Sequence, residues 1–442
     1  MPANIAAQGG EGQINLFEIQ SNYKHPTLDL AGGIVELSYY ESILENEVSA
    51  YATFVDTGHR NGEGYSVIED KGVNLTTGEV INLKITDGYG TTLSFLDKKH
   101  LKVRIPEGIS GTTNKLIFNI GLFTDESVNN QLTENRVKRK YDGKISDTVT
   151  KILKEVLKTP KNLYIDETLN NLSVLPTNTK PFYQCTWLAP RSIPVLPNSK
   201  GNLAGFFFYE TYDGFMFKSI DKLFQQTPKR RLIFNNLIEL TTPSGYDAKI
   251  LEPPFFSSSL DLKTILETGS HLKTTLKTFN TYESAFRKNE FDSINQFNSD
   301  TMGGKEKPLI ATDLDLQNKS SRISIKFDDQ GFMTEGKDLN SQLQKSTFVN
   351  YNNDEILRQS YVRYNNLFSI KMSIVIPGDF TLRAGDLVHC DVPEISGNTS
   401  KYVSQKVSGI YMIVDLCHRI TKTGCYTRLN LVRESIGRKP FK

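Results

Sequence analysis

Ile370-Lys371-Met372-Ser373-Ile374-Val375-Ile376-Pro377 is the stretch that decides the class of fold. Ile370, Met372, Ile374 and Ile376 recur with period two, so one edge of the segment is apolar and the other is not, as in a half-buried β-strand. Pro377-Gly378-Asp379 then supplies a turn. Residues 387–392 follow a second turn at Gly385-Asp386 and run into Pro393. Ile410, Met412, Val414 and Leu416 alternate again, and residues 421–424 turn the chain into 426–433. Repeated short alternating runs separated by turn residues predict antiparallel β structure.

Working outward, the first third carries the same signature. Residues 51–55, 81–85, 101–105 and 116–122 alternate; Ile81, Leu83 and Ile85 face one way while Asn82 and Lys84 face the other. Asp87-Gly88-Tyr89-Gly90 before residues 93–95 predicts a hairpin. Strands of this length and spacing suggest a small barrel or sandwich. The middle differs. Ile145, Val149, Ile152, Leu153, Val156 and Leu157 fall at helical spacing, with Ser146 or Asp142 as the expected cap and Pro160 as the stop. Phe206–Tyr209 and Gly214–Phe217 predict two aromatic strands joined by Tyr212-Asp213, the aromatic set forming either core, the preferred reading, or interface. Residues 232–251 return to a strand pattern, Ser258 or Ser259 is placed to cap a helix through Leu260 and Leu266, and a short helix is expected around 354–364 with Arg358 and Arg363. Between them, residues 269–353 are rich in Asn, Ser, Lys and Asp, with brief strands such as 323–327; this predicts a polar insertion ordered in part by a partner.

The expected architecture is mainly β with α+β parts: two small antiparallel β-barrel domains, a mixed α+β middle domain and a polar insertion. The boundaries are 1–35 for an N-terminal tail or arm, 36–125 for the first barrel, 126–228 for the mixed domain, 229–265 with 354–436 for the second barrel, and 266–353 for the insertion. A chain of 442 residues is too long for one core and fits roughly three or four domains.

Composition excludes several classes of function. The formal charge is +2, from 52 basic and 50 acidic residues, without the basic excess of a general nucleic-acid binder. Two basic clusters, Arg136, Lys138, Arg139 and Lys140, then Lys229, Arg230 and Arg231, are expected to be solvated faces or protein contacts. Apolar runs such as 205–209 are far shorter than the roughly 20 residues of a membrane helix, and residues 1–15 lack a signal pattern. The chain is therefore expected to be soluble. Cys185, Cys390, Cys417 and Cys425 show no C-x-x-C pairing and are expected reduced and buried.

A search for chemistry is unproductive. His25, His59, His100, His271, His389 and His418 form no H-E-x-x-H, no Ser lies in a G-x-S-x-G elbow, and there is no phosphate-binding loop. Gly62–Gly64 and Gly303-Gly304 fit turns. Asp313 with Asp315, or Asp328 with Asp329, are the nearest approach to a carboxylate pair, but Asp328-Asp329-Gln330-Gly331 suits a turn after a strand. Alternation puts His389 and Cys390, and Cys417 and His418, on opposite faces, against a shared metal site. No catalytic, cofactor-binding or metal-ligating residue is expected, and no cofactor.

Several segments, taken in order, are similar to the baseplate hub protein of contractile-tailed bacteriophages, the T4 gene product 27-like family. The first is Tyr39-Tyr40-Glu41-Ser42-Ile43-Leu44 leading into 48–56, then Gly78-Glu79-Val80-Ile81-Asn82-Leu83-Lys84-Ile85. Next come Tyr141-Asp142-Gly143-Lys144-Ile145-Ser146-Asp147, Thr179-Lys180-Pro181-Phe182, Trp187-Leu188-Ala189-Pro190-Arg191, and Phe207-Phe208-Tyr209-Glu210-Thr211-Tyr212-Asp213-Gly214-Phe215. Ile376-Pro377-Gly378-Asp379 with Leu382 and Gly385-Asp386, then Gly409–Val414 and 426–433, complete the set. Residues 62–70 are longer and more polar than that pattern has before its Gly-Glu strand. The resemblance implies a non-enzymatic structural subunit of the virion tail baseplate. It implies a homotrimer whose two tube-like barrels per chain match a sixfold tail tube to a threefold spike, around a channel for DNA ejection. The partners so implied are further copies of the chain, the tail spike protein, the tail tube or tube-initiator protein, and tape measure and baseplate wedge proteins. DNA would pass without specific binding, and assembly would take place in the bacterial host cytoplasm without membrane insertion. Two alternatives stay open: a cell-wall-degrading tail hydrolase, which needs a carboxylate pair or zinc motif, and an OB-like nucleic-acid-binding protein, which needs a basic, aromatic face.

Overall fold

The computed structural model describes residues 10–22, 27–56, 75–112, 115–195, 203–234, 242–258, 273–280, 285–292, 302–306, 322–328, 353–394 and 403–441. Eight strands come first: β1 (Gln13–Gln20), β2 (Leu28–Asp29), β3 (Ile34–Ser42), β4 (Ser49–Asp56), β5 (Val80–Thr86), β6 (Thr92–Phe95), β7 (Leu101–Thr112) and β8 (Lys115–Thr124). Alternation explains their faces, since Ile81, Leu83 and Ile85 are fully buried and Lys84 on the same strand is exposed. The β5–β6 hairpin turns at Asp87, whose carboxylate accepts the backbone N–H groups of Tyr89 (3.0 Å) and Thr91 (2.7 Å), while Gly90 takes a left-handed φ of +85°. One expectation is corrected here: the segment 1–35 is not merely an arm. β1 pairs along β5, and its Phe17 and Ile19 are completely buried in the first core.

The middle of the chain is mixed, as expected. It holds helices α1 (Asp125–Gln131) and α2 (Ile145–Lys151), strand β9 (Asn162–Ile165), helix α3 (Pro181–Leu188), strands β10 (Phe206–Thr211) and β11 (Gly214–Ser219), and helix α4 (Ile220–Gln225). α2 continues in wider π turns over Ile152–Leu157 and stops at Lys158, where φ is +58°. Neither Ser146 nor Asp142 caps it. The first turn is instead satisfied from outside, by the Thr168 hydroxyl accepting the Ser146 N–H at 3.0 Å. Ile145, Val149, Ile152 and Leu153 pack against Phe206, Phe208, Phe215 and Phe217, so the aromatic strands are core.

The second β lobe comprises β12 (Arg230–Ile233), β13 (Ala248–Lys249), β14 (Phe255–Ser258), β18 (Ile370–Pro377), β19 (Leu387–Asp391), β20 (Gly409–Thr421) and β21 (Gly424–Arg433). Between them come β15 (Lys273–Asn280), β16 (Ala285–Asp292), β17 (Arg322–Asp328) and helix α5 (Asn353–Leu367). β15–β17 form a three-stranded sheet in the expected polar insertion. The helix expected after Ser258 falls on 259–272, outside the described residues.

The barrel expectation is revised in two ways. β12 runs parallel to both β13 and β19, so the second lobe is not wholly antiparallel. And the lobes do not form two separate closed sheets: β20 pairs with β3 over Asp415–Thr421 and Glu36–Ser42, fusing both into one mixed 15-stranded sheet whose path runs from β13 to β2. The first lobe's core accordingly includes Phe380, Ile420 and Cys425.

Candidate assembly interface

The seam between the lobes is built around buried charge. Glu41, on the inward side of β3, accepts the Tyr39 hydroxyl (2.9 Å) and the Tyr212 N–H (2.8 Å) on one oxygen, and the Ala384 N–H (3.0 Å) on the other. Burial pushes its carboxyl above the ordinary value, against the opposing pull of the Arg383 guanidinium 3.9 Å away. Arg383 in turn donates to Asp213 (3.1 Å) and to the carbonyls of Phe380 and Leu382. His418 lies beside this cluster, its ring 4.7 Å from that of Phe380 and hydrogen-bonded to Thr427 at 2.9 Å. Burial holds its pKa down at about 3, so the imidazole is neutral.

Two further charge clusters lock the mixed region to its neighbours. Lys161 lies between Glu126 (2.7 Å) and Glu210 (2.5 Å), all three nearly inaccessible, and Glu210 also takes the Val48 N–H (3.1 Å). Burial raises the Glu210 pKa to about 6, with Lys161 opposing; the two carboxylates raise that of Lys161 in spite of its burial. Arg363 on α5 makes a bidentate pair with Asp221 (2.8 and 3.0 Å) and donates to the Ala204 carbonyl (2.9 Å).

The other side of the seam is open. From β18 through β21, β20, β3, β4 and β8, the outward positions mix small polar residues, among them Ser373, Asn430, Thr421, Ser42, Ser49, Thr53 and Asn119, with larger ones such as Val375, Tyr426, Val55 and Ile117. Some of the charges among them are answered locally, while Lys371 and Arg428 are exposed on the same face. Arg419 pairs with Glu36 at 2.7 Å, and Asp415 accepts Ser42 (2.5 Å) and Asn430 (3.4 Å). Tyr40 and Tyr51, each 39% exposed, meet edge to face at 5.8 Å. A groove of about 830 Å³ opens beside them, between the β3–β4 turn and the exposed Tyr183 of α3.

The residues singled out in the sequence do not converge on a site. His25, His59, His271, Gly62–Gly64, Asp313, Asp315 and Asp329 lie outside the described residues. Among the described residues no group of three or more His, Cys, Asp and Glu is placed to hold a metal. His389 and Cys390 are both fully buried, as are Cys185 and Cys425; Cys417, on the open face, is only partly so. The second basic cluster clamps the lobe internally: Lys229 to Asp386 (2.8 Å), Arg230 to Asp379 (2.7 Å) and Arg231 to Asp391 (3.3 Å). In the first, Arg139 bonds Glu155, and Lys140 bonds Asp142 at 3.1 Å. The buried charges at the seam went unrecognised in the sequence. The only signal was a carboxylate set in an otherwise apolar or aromatic strand, at Glu41 and Glu210.

This fold, a β sheet shared by two lobes with a mixed unit packed beside it, is found in phage tail proteins. The chain shares it over nearly its whole length with a tail protein from Neisseria meningitidis MC58, at 11% identity, covering 97% of this chain and 98% of that one with a TM-score of 0.51. It shares it also with the 43 kDa tail protein of prophage MuSo2 from Shewanella oneidensis, at 10% identity over 95% and 98% of the chains, TM-score 0.52. No family model matches the chain. A local sequence match, 30% identical over 110 residues, links 24% of the chain to the urease accessory protein UreF of Jannaschia sp. (strain CCS1); the chain spans half the length of that curated relative.

Proposed function

We propose that this chain is the structural hub subunit of a phage-type tail baseplate. Three copies form a ring around an axial channel, with the spike bound on one face and the tube, with its initiator, on the other. The chain acts as an adaptor and a conduit for DNA, without catalysis. The observation that carries this reading is the fusion of two β lobes into one sheet with one packed and one open face. Each chain then brings two β lobes to the ring, so three chains offer six positions to a sixfold tube and three to a threefold spike. The open face carries small polar residues and the Arg419–Glu36 pair, with Lys371 and Arg428 among its few exposed cations; a wall so sparing of cations would displace few of the counterions that drive phosphate binding. Tape measure and wedge proteins are the remaining partners of this reading.

The test is native mass spectrometry and negative-stain class averaging of the purified chain, alone and co-expressed with its candidate spike. The expected result is a species of three times 49.9 kDa with a central hole in at least one preparation. A compact monomer in both overturns the proposal.

A further inference from the structure

The groove of about 830 Å³ beside Tyr40 and Tyr51 has walls that the fold holds in place. One wall is the β3–β4 turn. Its backbone is fixed by the Ile43 N–H on the Val414 carbonyl (2.9 Å), the Leu44 N–H on the Ser42 hydroxyl (3.1 Å) and the Val48 N–H on Glu210 (3.1 Å). The other wall is α3, tied to the turn where the Thr186 hydroxyl donates to Asn46 at 3.0 Å. Leu44 on the turn is 56% exposed and Tyr183 on α3 is 58% exposed, so each wall offers an uncovered apolar side chain. The charges in the lining differ from those farther along the sheet. Arg419 has Glu36 as its partner, whereas Glu45 and Glu47 of the turn and Arg104 of β7 have no ion pair among the described residues. Asp415 is held by Ser42 and Asn430, and Lys180 by Gln131 (2.5 Å). The strand order β20-β3-β4-β8-β7 sets Asp415 and the turn toward one end of the groove and Arg104 at the other.

We infer that this groove takes a short extended segment of a different protein: a lysine or arginine toward the turn, apolar side chains against Leu44 and Tyr183, and a carboxylate toward Arg104. The inference goes beyond the hub reading and needs no ring. Charge decides the kind of partner. Two unpaired carboxylates on the turn repel the phosphates of a nucleic acid and attract a cationic side chain, and complementary charge selects partners more than it adds affinity. Size decides its form. The volume lies within the roughly 300–1,000 Å³ of clefts that enclose a ligand, which suits a few residues of extended chain rather than a folded surface. Tyr40, Tyr51 and Tyr183 are the residue type enriched where proteins meet, an apolar ring with a polar tip. Because both walls are fixed before anything binds, little of the contact energy goes into ordering them.

The experiment selects a displayed library of random peptides on the immobilised full chain, then titrates the enriched peptides, fluorescein-labelled, by anisotropy. Three variants are compared with wild type: Tyr183→Asp, the double reversal Glu45→Lys with Glu47→Lys, and a control, Tyr164→Asp, on β9 away from the groove. Should Tyr183→Asp alter the circular dichroism, Leu44→Ser replaces it. The expected result is peptides that join a basic residue to apolar ones, with Kd raised at least tenfold by Tyr183→Asp and by the double reversal and unchanged by Tyr164→Asp. Exchanging the peptide's basic residue for glutamate should abolish binding to wild type and restore it to the double reversal. No enrichment, equal binding to all variants, or displacement of the peptide by a single-stranded oligonucleotide overturns the inference. So does self-association of the wild-type chain that Tyr183→Asp abolishes, since the occupant is then a second copy. Ring formation is scored separately, so a chain that never forms rings sinks the hub reading and leaves this one to its own data.

Discussion

Glu210 is an acid whose proton affinity is set by the fold. Burial lifts its pKa from the ordinary 4.5 to about 6, so the folded chain binds that proton more tightly than the unfolded one. Its ionisation therefore costs stability as pH rises through that interval, and protonation restores it as pH falls. Glu210→Gln should remove this dependence: relative to wild type, the variant gains stability as pH rises from 4.5 to 6.5, read from urea midpoints across that range. A constant difference between the two proteins would refute the assignment. Arg363 tests the opposite case, a buried pair broken on one side. Arg363→Met leaves Asp221 buried and uncompensated, and should cost about 3–5 kcal/mol by chemical denaturation. Gly385 is a steric case. Its φ is +88°, and a Cβ there would lie 2.2 Å from the Tyr209 hydroxyl. Gly385→Ala should lower stability by about 2 kcal/mol or more, and adding Tyr209→Phe should recover part of the loss; no recovery would place the strain in the backbone alone. None of these three environments is visible in a linear sequence, because burial and partners come from segments dozens to well over a hundred positions away.

Whole elements were far more legible. Period-two runs around 81–85, 116–122, 370–376 and 426–433 became strands because alternation is a local property that one buried face suffices to use. The helix at 145–157 followed from its apolar stripe, but its cap did not, since Thr168 supplies it from another segment. The polar, Gly-containing residues 1–15 suggest a tail, yet the inward residues Phe17 and Ile19 of β1 alternate as well as any. β12 could not be assigned a direction: parallel pairing leaves no mark in a four-residue strand. At this scale the seam makes its own prediction. Arg419 and Glu36 pair across it at 2.7 Å but are both largely exposed, so Arg419→Ala should change stability by less than about 0.5 kcal/mol. A loss several times larger would mean that the ion pair, rather than the β20–β3 ladder and the core beneath it, holds the lobes together.

For the molecule as a whole, the candidate interface was not legible at all. An edge or an open face is defined by what remains uncovered after folding, and no residue pattern announces it. The seam has a further consequence, for synthesis. β3 is made long before its partner β20, with 373 positions between Ser42 and Asp415, and before the core residues Phe380, Ile420 and Cys425. The first lobe therefore cannot complete its core until those distant segments have been made, and long-range pairing of this kind is slow. A chain cut short anywhere before the final hairpin lacks the strand that joins its halves. On the hub reading proposed above, such fragments would be excluded from rings by their own incompleteness.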